Sequence, residues 1–203
     1  MNSISVTGKN WIFKKFNIKD VALYSENYSL SEIAAKLLAI RKKNINSIDL
    51  FLKPTIKNLL PNPLNLKDMK KAVDRTYKSI TKKELIGIFG DYDVDGATST
   101  ALLSLYFLSI NHKTETYIPD RKKEGYGPSV FGFENLINKG AKVIFTVDCG
   151  TLSFEPIEAA RKKNTDVIVL DHHQSDVKLP KALAIVNPNR HDDESELNYL
   201  CAA

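Results

Sequence analysis

Residues 85–100, LIGIFGDYDVDGATST, constrain the chain more than any other stretch. The apolar run 85–89 reads as a buried strand. It ends in carboxylates at alternate positions, Asp91, Asp93 and Asp95, and Gly96 and a run of small residues follow. Three like charges at the mouth of a strand are unfavourable unless a cation neutralises them. Oxygen donors of this kind suit a hard divalent metal. A fold that carries the stretch must bring further donors to the same strand end.

The pattern that follows can do so. Strand candidates fall at 85–89, 114–118, 142–147, 167–170 and 183–186, with helix candidates at 98–110, 128–138 and 155–163. Strands spaced by helices predict βαβ units, an α/β fold with a parallel sheet and helices on both faces. Residues 1–80 read instead as a mainly helical, basic segment, and 81–203 as the α/β domain. In the front segment, Ser29 to Glu32 looks like a capping box. It opens a helix to about Lys43, with Leu30, Ile33, Ala34, Leu37 and Leu38 on one face. A second short helix begins near 47–51, and helical spacing returns over 65–80. Pro54, Pro61 and Pro63 mark 53–67 as a loop, and 1–28 shows no clear period. The last residues, 191–203, read like a helix that starts and stops, so the chain is expected to be cut short there.

Bulk properties narrow the function classes. No apolar run nears the 18 or so residues of a membrane span, and the N-terminus lacks the apolar core of a signal peptide. Cys149 and Cys201 form no disulfide framework, so a reducing cytoplasm is expected. Residues 1–84 carry 17 basic and 7 acidic side chains, whereas 85–203 carry 12 and 17. A basic front beside an acidic, metal-seeking segment predicts a polyanion partner. Of the 29 basic residues 24 are Lys, which favours diffuse phosphate attraction over bidentate base reading.

In an open parallel sheet, ligands bind beyond the carboxyl ends of the strands. Polar residues stand at each such end here. Besides the triple-Asp loop these are Arg121 after the second strand, Asp148 after the third, Asp171, His172 and His173 after the fourth, and Arg190 after the fifth. An EF-hand would need Glu at the twelfth position from Asp91, where Leu102 stands. A phospho-aspartate loop centred on Asp93 would leave Asp171, His172 and His173 without a role. Several carboxylates with one imidazole suit Mn²⁺ or Mg²⁺ better than zinc or copper. Their number favours two ions and a two-metal hydrolysis. Arg121, Arg190, His173 and the helix N-terminus after Gly96 could then hold a phosphate. Cys149, beside a carboxylate, is expected to be buried and inert.

GDYDVDGATS (90–99), IPDR with EGYGPS (118–129), TVDCGT (146–151), LDHHQ (170–174) and VNPN (186–189) resemble the DHH phosphoesterase superfamily. Their spacing, and residues 51–75 before the first motif, are similar to its RecJ branch of single-stranded-DNA-specific 5′→3′ exonucleases. The resemblance implies two-metal activation of water against phosphodiester bonds, in cytoplasmic DNA repair and recombination. It implies Asp93, Asp95, Asp148 and His172 as metal ligands, with Asp148 bridging and Asp91 in the same motif. It implies His173 as a phosphate-contacting or acid-assisting group. Partners implied are single-stranded DNA and, through regions outside this chain, a helicase or single-strand-binding protein. Two departures stand out. The superfamily has a further Asp ligand and a substrate-binding domain beyond the last motif here, and Lys43-Asn44-Ile45 replaces the usual Arg-Gly-Ile. A small-substrate phosphoesterase acting on oligoribonucleotides or cyclic dinucleotides, and an inactive remnant that binds nucleic acid, are the alternative readings.

Overall fold

The computed structural model describes residues 4–41 and 45–202. Lys43 and Asn44, where the sequence departs from the branch pattern, lie outside them. The chain divides into two compact units, Met1–Pro61 and Asn62–Ala203.

The first unit is helical. Helix α1 (Ile18–Tyr28) lies in a stretch with no readable period, and α2 (Glu32–Ile40), α3 (Ile45–Leu52) and a single turn α4 (Ile56–Leu59) follow. The expected capping box is split between two helices. Ser29 closes α1 in a left-handed conformation, and Ser31 caps α2 by accepting from the Ala34 amide. The buried face of α2 is also rotated from the expected one. Ala35, Leu38 and Ala39 pack with Val21, Tyr24 and Ile48, while Ile33 and Leu37 are 73% and 54% exposed. The unforeseen α1 selects that stripe.

The second unit holds five parallel strands, β1 (Ile86–Gly90), β2 (Thr114–Tyr117), β3 (Val143–Val147), β4 (Asp166–Leu170) and β5 (Ala184–Val186). Their order across the sheet is β2-β1-β3-β4-β5. Every residue of β1 and β3 is buried, as expected of strands covered on both faces. Alternation along β3 splits the core. Val143, Phe145 and Val147 face Ala72 of α5 (Met69–Lys82) and Phe107 of α6 (Val94–Ser109). Ile144 faces the side covered by Phe133 and Leu136 of α7 (Val130–Asn138) and Ile157 of α8 (Phe154–Lys162). The α/β architecture with helices on both faces is therefore as the spacing predicts. Helix α5 packs with the sheet and belongs to its compact unit, so the division falls at 61/62 rather than 80/81.

Arg190 closes the sheet's edge. Its Nη1 donates to Asp68 Oδ2 at 2.8 Å and to the Ile185 carbonyl at 2.5 Å, and its Nε donates to Asp192 at 2.8 Å. Asp68 Oδ2 also accepts from the Ile185 amide. The outer backbone groups of edge strand β5 are thus satisfied by side chains, which blunts the edge. Arg190 and Asp68 are only 7% and 13% exposed, so removing one leaves the other buried without its partner. Hydrogen bonds from Arg190 and Lys67 hold the Asp192 carboxyl down at about 2. Its contribution is complete above the ordinary carboxylate value and lost as pH falls towards 2. Arg190→Ala is expected to lower stability in urea denaturation by about 2 kcal/mol, and to flatten the acid limb of a stability–pH curve.

Candidate metal centre

The strand order reverses direction between β1 and β3, and such a switch point opens a crevice at the carboxyl ends of the strands. The site lies there. Gly90 ends β1, and Asp91, Tyr92 and Asp93 form the whole connection to α6. Asp93 is the helix N-cap, its side chain accepting from the Gly96 amide at 3.0 Å. Helix α6 therefore begins at Val94, earlier than the predicted 98, and puts Asp95 in its first turn. The tight turn depends on Gly96. A Cβ there would lie 2.6 Å from the Asp91 Cβ and carbonyl oxygen.

Asp148 follows β3 with a φ of 60°, a left-handed conformation that few non-glycine residues adopt. Strain of this kind gathers at functional sites. The Asp148 amide donates to the Leu170 carbonyl at the end of β4, which ties this turn to the next one. There Asp171 is buried and accepts from the amides of Thr151, His172 and His173, and from His173 Nδ1 at 2.8 Å. Burial alone would raise the Asp171 carboxyl, but the donors of Thr151 and His173 outweigh it and hold it low. The carboxylate in turn lifts His173 against the opposing effect of burial.

These turns bring five of the predicted residues together. One oxygen each of Asp91, Asp93 and Asp148 lie within 4.8 Å of one another, and so do donor atoms of Asp148, His172 and His173. Asp148 belongs to both groups. His172 Nε2 lies 3.2 Å from Asp148 Oδ1 and 3.5 Å from Asp95 Oδ2. Asp95 sits at the margin, where its Oδ2 accepts from the Ala202 amide at 3.3 Å. Arg121 lies beside the centre, its guanidinium 5.2 Å from the centroid of the Tyr92 ring. Arg190 stands elsewhere. Its donors are engaged by Asp68, Asp192 and the Ile185 carbonyl, so the structure does not support it as a phosphate ligand. Cys149 is buried, and burial with the nearby Asp171 and Asp91 carboxylates pushes its thiol well up, as expected of an inert cysteine.

The donor set fits a divalent cation. Asp91 Oδ2 and Asp148 Oδ1 are buried and make no hydrogen bond. Buried polar atoms nearly always have a partner, and an ion is one way to supply it. Oxygen-rich sites with an imidazole favour Mn²⁺ or Mg²⁺. The charges also repel one another without a cation. Burial, then Asp95 and Asp93, push the Asp148 carboxyl up to about 6, and burial likewise raises Asp91.

The spacing of motifs did not reveal what holds the two histidines. Asn187 Nδ2 donates to the His173 carbonyl at 2.9 Å and to Thr151 Oγ1 at 2.8 Å. Asn189 Nδ2 donates to the His172 carbonyl, and its amide donates to Asn187 Oδ1. The VNPN segment is thus a clamp on the histidine turn. Asp171 is a third supporting residue not assigned in advance, and its place at the head of the Asp-His-His run was the available signal.

The raised Asp148 value has a thermodynamic sign. The folded state binds this proton more tightly than the unfolded one, so its contribution is fully present below about pH 4 and is lost as pH rises through 6. In chelator at pH 7, Asp148→Asn is expected to melt roughly 2–4 °C above the parent chain, with the gap closing at pH 4.

Residues 85–202 match the DHH family, N-terminal domain. The chain is 34% identical over 181 residues to the single-stranded-DNA-specific exonuclease RecJ of Bacillus subtilis strain 168, covering 89% of this chain and 23% of that protein. The RecJ exonuclease of Escherichia coli K12 is 39% identical over 142 residues, 70% of this chain and 24% of that one. The chain thus spans about a quarter of the length of these relatives. Among solved structures, an exonuclease RecJ bound to manganese superposes with a TM-score of 0.60 at 28% identity, covering 66% of this chain and 34% of the other. RecJ from Thermus thermophilus in complex with Mn²⁺ shares the fold, with a TM-score of 0.64 at 21% identity over 88% of this chain and 24% of that one. The match to the family's N-terminal domain covers the whole sheet and every residue of the carboxylate–histidine cluster: this chain belongs to the DHH family.

Proposed function

We propose that this chain carries the metal-binding part of a nuclease that hydrolyses phosphodiester bonds of single-stranded DNA from the 5′ end. The observation that carries the reading is a carboxylate–histidine cluster at the sheet's switch point, in which buried oxygens of Asp91 and Asp148 make no hydrogen bond and Asp148 lies 3.2 Å from His172. Similarity to proteins named as single-stranded-DNA-specific exonucleases supports the substrate. The basic side chains concentrated before residue 85 support a polyanion. Action in DNA repair and recombination in the cytoplasm goes with the same reading. Among the described residues no helix is long and apolar enough to cross a membrane.

Asp91, Asp93 and Asp148 would hold one Mn²⁺ or Mg²⁺ ion, and Asp148 with His172 a second, Asp95 lying within reach of His172. When bound, such ions supply Lewis acidity and an acidified water. The chain's own residues do the rest. Asp171 fixes the ring of His173 through Nδ1, leaving Nε2 directed at the Tyr126 hydroxyl, 3.1 Å away. A ring held in this way can donate to a phosphate oxygen or to the departing one. Arg121, held over Tyr92, can offer its fork to a neighbouring phosphate. Asn187 and Asn189 keep both histidine backbones in place while charge shifts.

Hydrolysis of a 5′-labelled single-stranded oligonucleotide with added Mn²⁺ tests the reading. Asp148→Ala is expected to reduce the rate at least about 100-fold, and His172→Ala to remove one of two Mn²⁺ sites in calorimetry. Unchanged turnover in Asp148→Ala would sink the proposed role.

A further inference from the structure

A cavity of about 350 Å³ adjoins the metal centre, shares His173 with it and is also lined by Asp171. That volume lies at the lower end of small-molecule sites. Its other walls are the Tyr126 ring, Pro128, Cys149, Leu152, Ser153 and Gln174. No lysine or arginine lines it, so it is not built for a second phosphate. Its one lining carboxylate, Asp171, is already saturated by four donors, so no free charge faces the cavity from that side.

The aromatic wall is held in place. Tyr126 is 59% exposed, yet its hydroxyl is fixed by His173 Nε2, and its ring meets the Tyr92 ring edge to face at 6.3 Å. Gly125 and Gly127, at φ of 82° and 78°, set the loop that presents it. An exposed ring held by a ring neighbour and by its hydroxyl is a stacking surface with little freedom left to lose on binding.

The geometry points to a seat for one nucleoside next to the scissile phosphate, with the base stacked on Tyr126 and the sugar towards His173. This rests on the nuclease reading and deepens it. Phosphates go to the metal centre and Arg121, and the neutral base goes into the cavity that no lysine or arginine lines. The few polar groups on the walls, Ser153, Thr151 and Gln174, can satisfy a base edge without the fixed bidentate pattern that would select one base. The seat therefore requires a base and tolerates any of the four.

Binding tests this without relying on turnover. Deoxyadenosine 5′-monophosphate, thymidine 5′-monophosphate and 2-deoxyribose 5-phosphate are titrated calorimetrically into the full chain with Mn²⁺. Both nucleotides are expected to bind about tenfold more tightly than the sugar phosphate. The ratio should fall to about one in Tyr126→Ala and persist in Tyr126→Phe, with circular dichroism showing both variants folded. A ratio near one in the parent chain, a ratio that survives Tyr126→Ala, or no binding of any of the three overturns the seat. Loss of the ratio in Tyr126→Phe also overturns it, because the hydroxyl on His173 rather than the ring face would then be responsible. These outcomes are independent of hydrolysis, so an inactive chain that discriminates base from sugar would reject the nuclease reading and keep the seat.

Discussion

Negative charge gathered at the ends of buried strands is the constraint around which the second unit is built. Two strand ends deliver carboxylates and a third delivers imidazoles to one crevice, and two of the carboxylate oxygens are buried and make no hydrogen bond. A fold optimised only for stability would place amides or apolar groups there. The neighbouring structure instead holds the charges together. A left-handed Asp148, a helix capped by Asp93 and a histidine turn clamped by two asparagines each fix one donor. The cluster is pre-organised for a cation by its surroundings, and its own atoms repel one another in the cation's absence.

The support is layered. Asp171 makes no approach to the carboxylate group, yet it sets the ring of His173 and receives three backbone amides. Asn187 joins the β3 turn, through Thr151, to the β4 turn, through His173. The three adjacent strand ends are thereby linked laterally by hydrogen bonds above the sheet as well as within it. A shift of one turn carries the others with it, which is how a site assembled from distant parts of the sequence keeps its register.

Much of this was legible beforehand, for a physical reason. Buried parallel strands are continuous apolar runs, and the strand ranges came out within a residue or two because little else produces such runs over five residues. The meeting of Asp91, Asp93, Asp148, His172 and His173 was legible because an open parallel sheet gathers its strand exits along one edge. Arg190 shows the limit of that rule. It stands at a strand exit like the others, but its side chain turns to the sheet edge and finds Asp68, 122 positions away. Nothing in the local sequence announces that partner. The front unit was harder for a related reason. Helix α1 is short and its inward stripe is only Val21, Tyr24 and Tyr28, and missing it misplaced the buried face of α2. The expected face had the right period and the wrong phase, because phase is set by the neighbour.

The Asp68–Arg190 contact carries a consequence for how the unit is made. Helix α5 precedes the whole sheet in the chain, and β5 is its last strand. Their junction encloses nearly all of the βαβ path between them, a loop of 122 residues. Closing so long a loop is entropically unfavourable before the intervening strands have paired. The contact is therefore expected to form after the intervening strands have paired. Once made, it fastens the beginning of the unit to its end, so that α5 and β5 cannot part without breaking it.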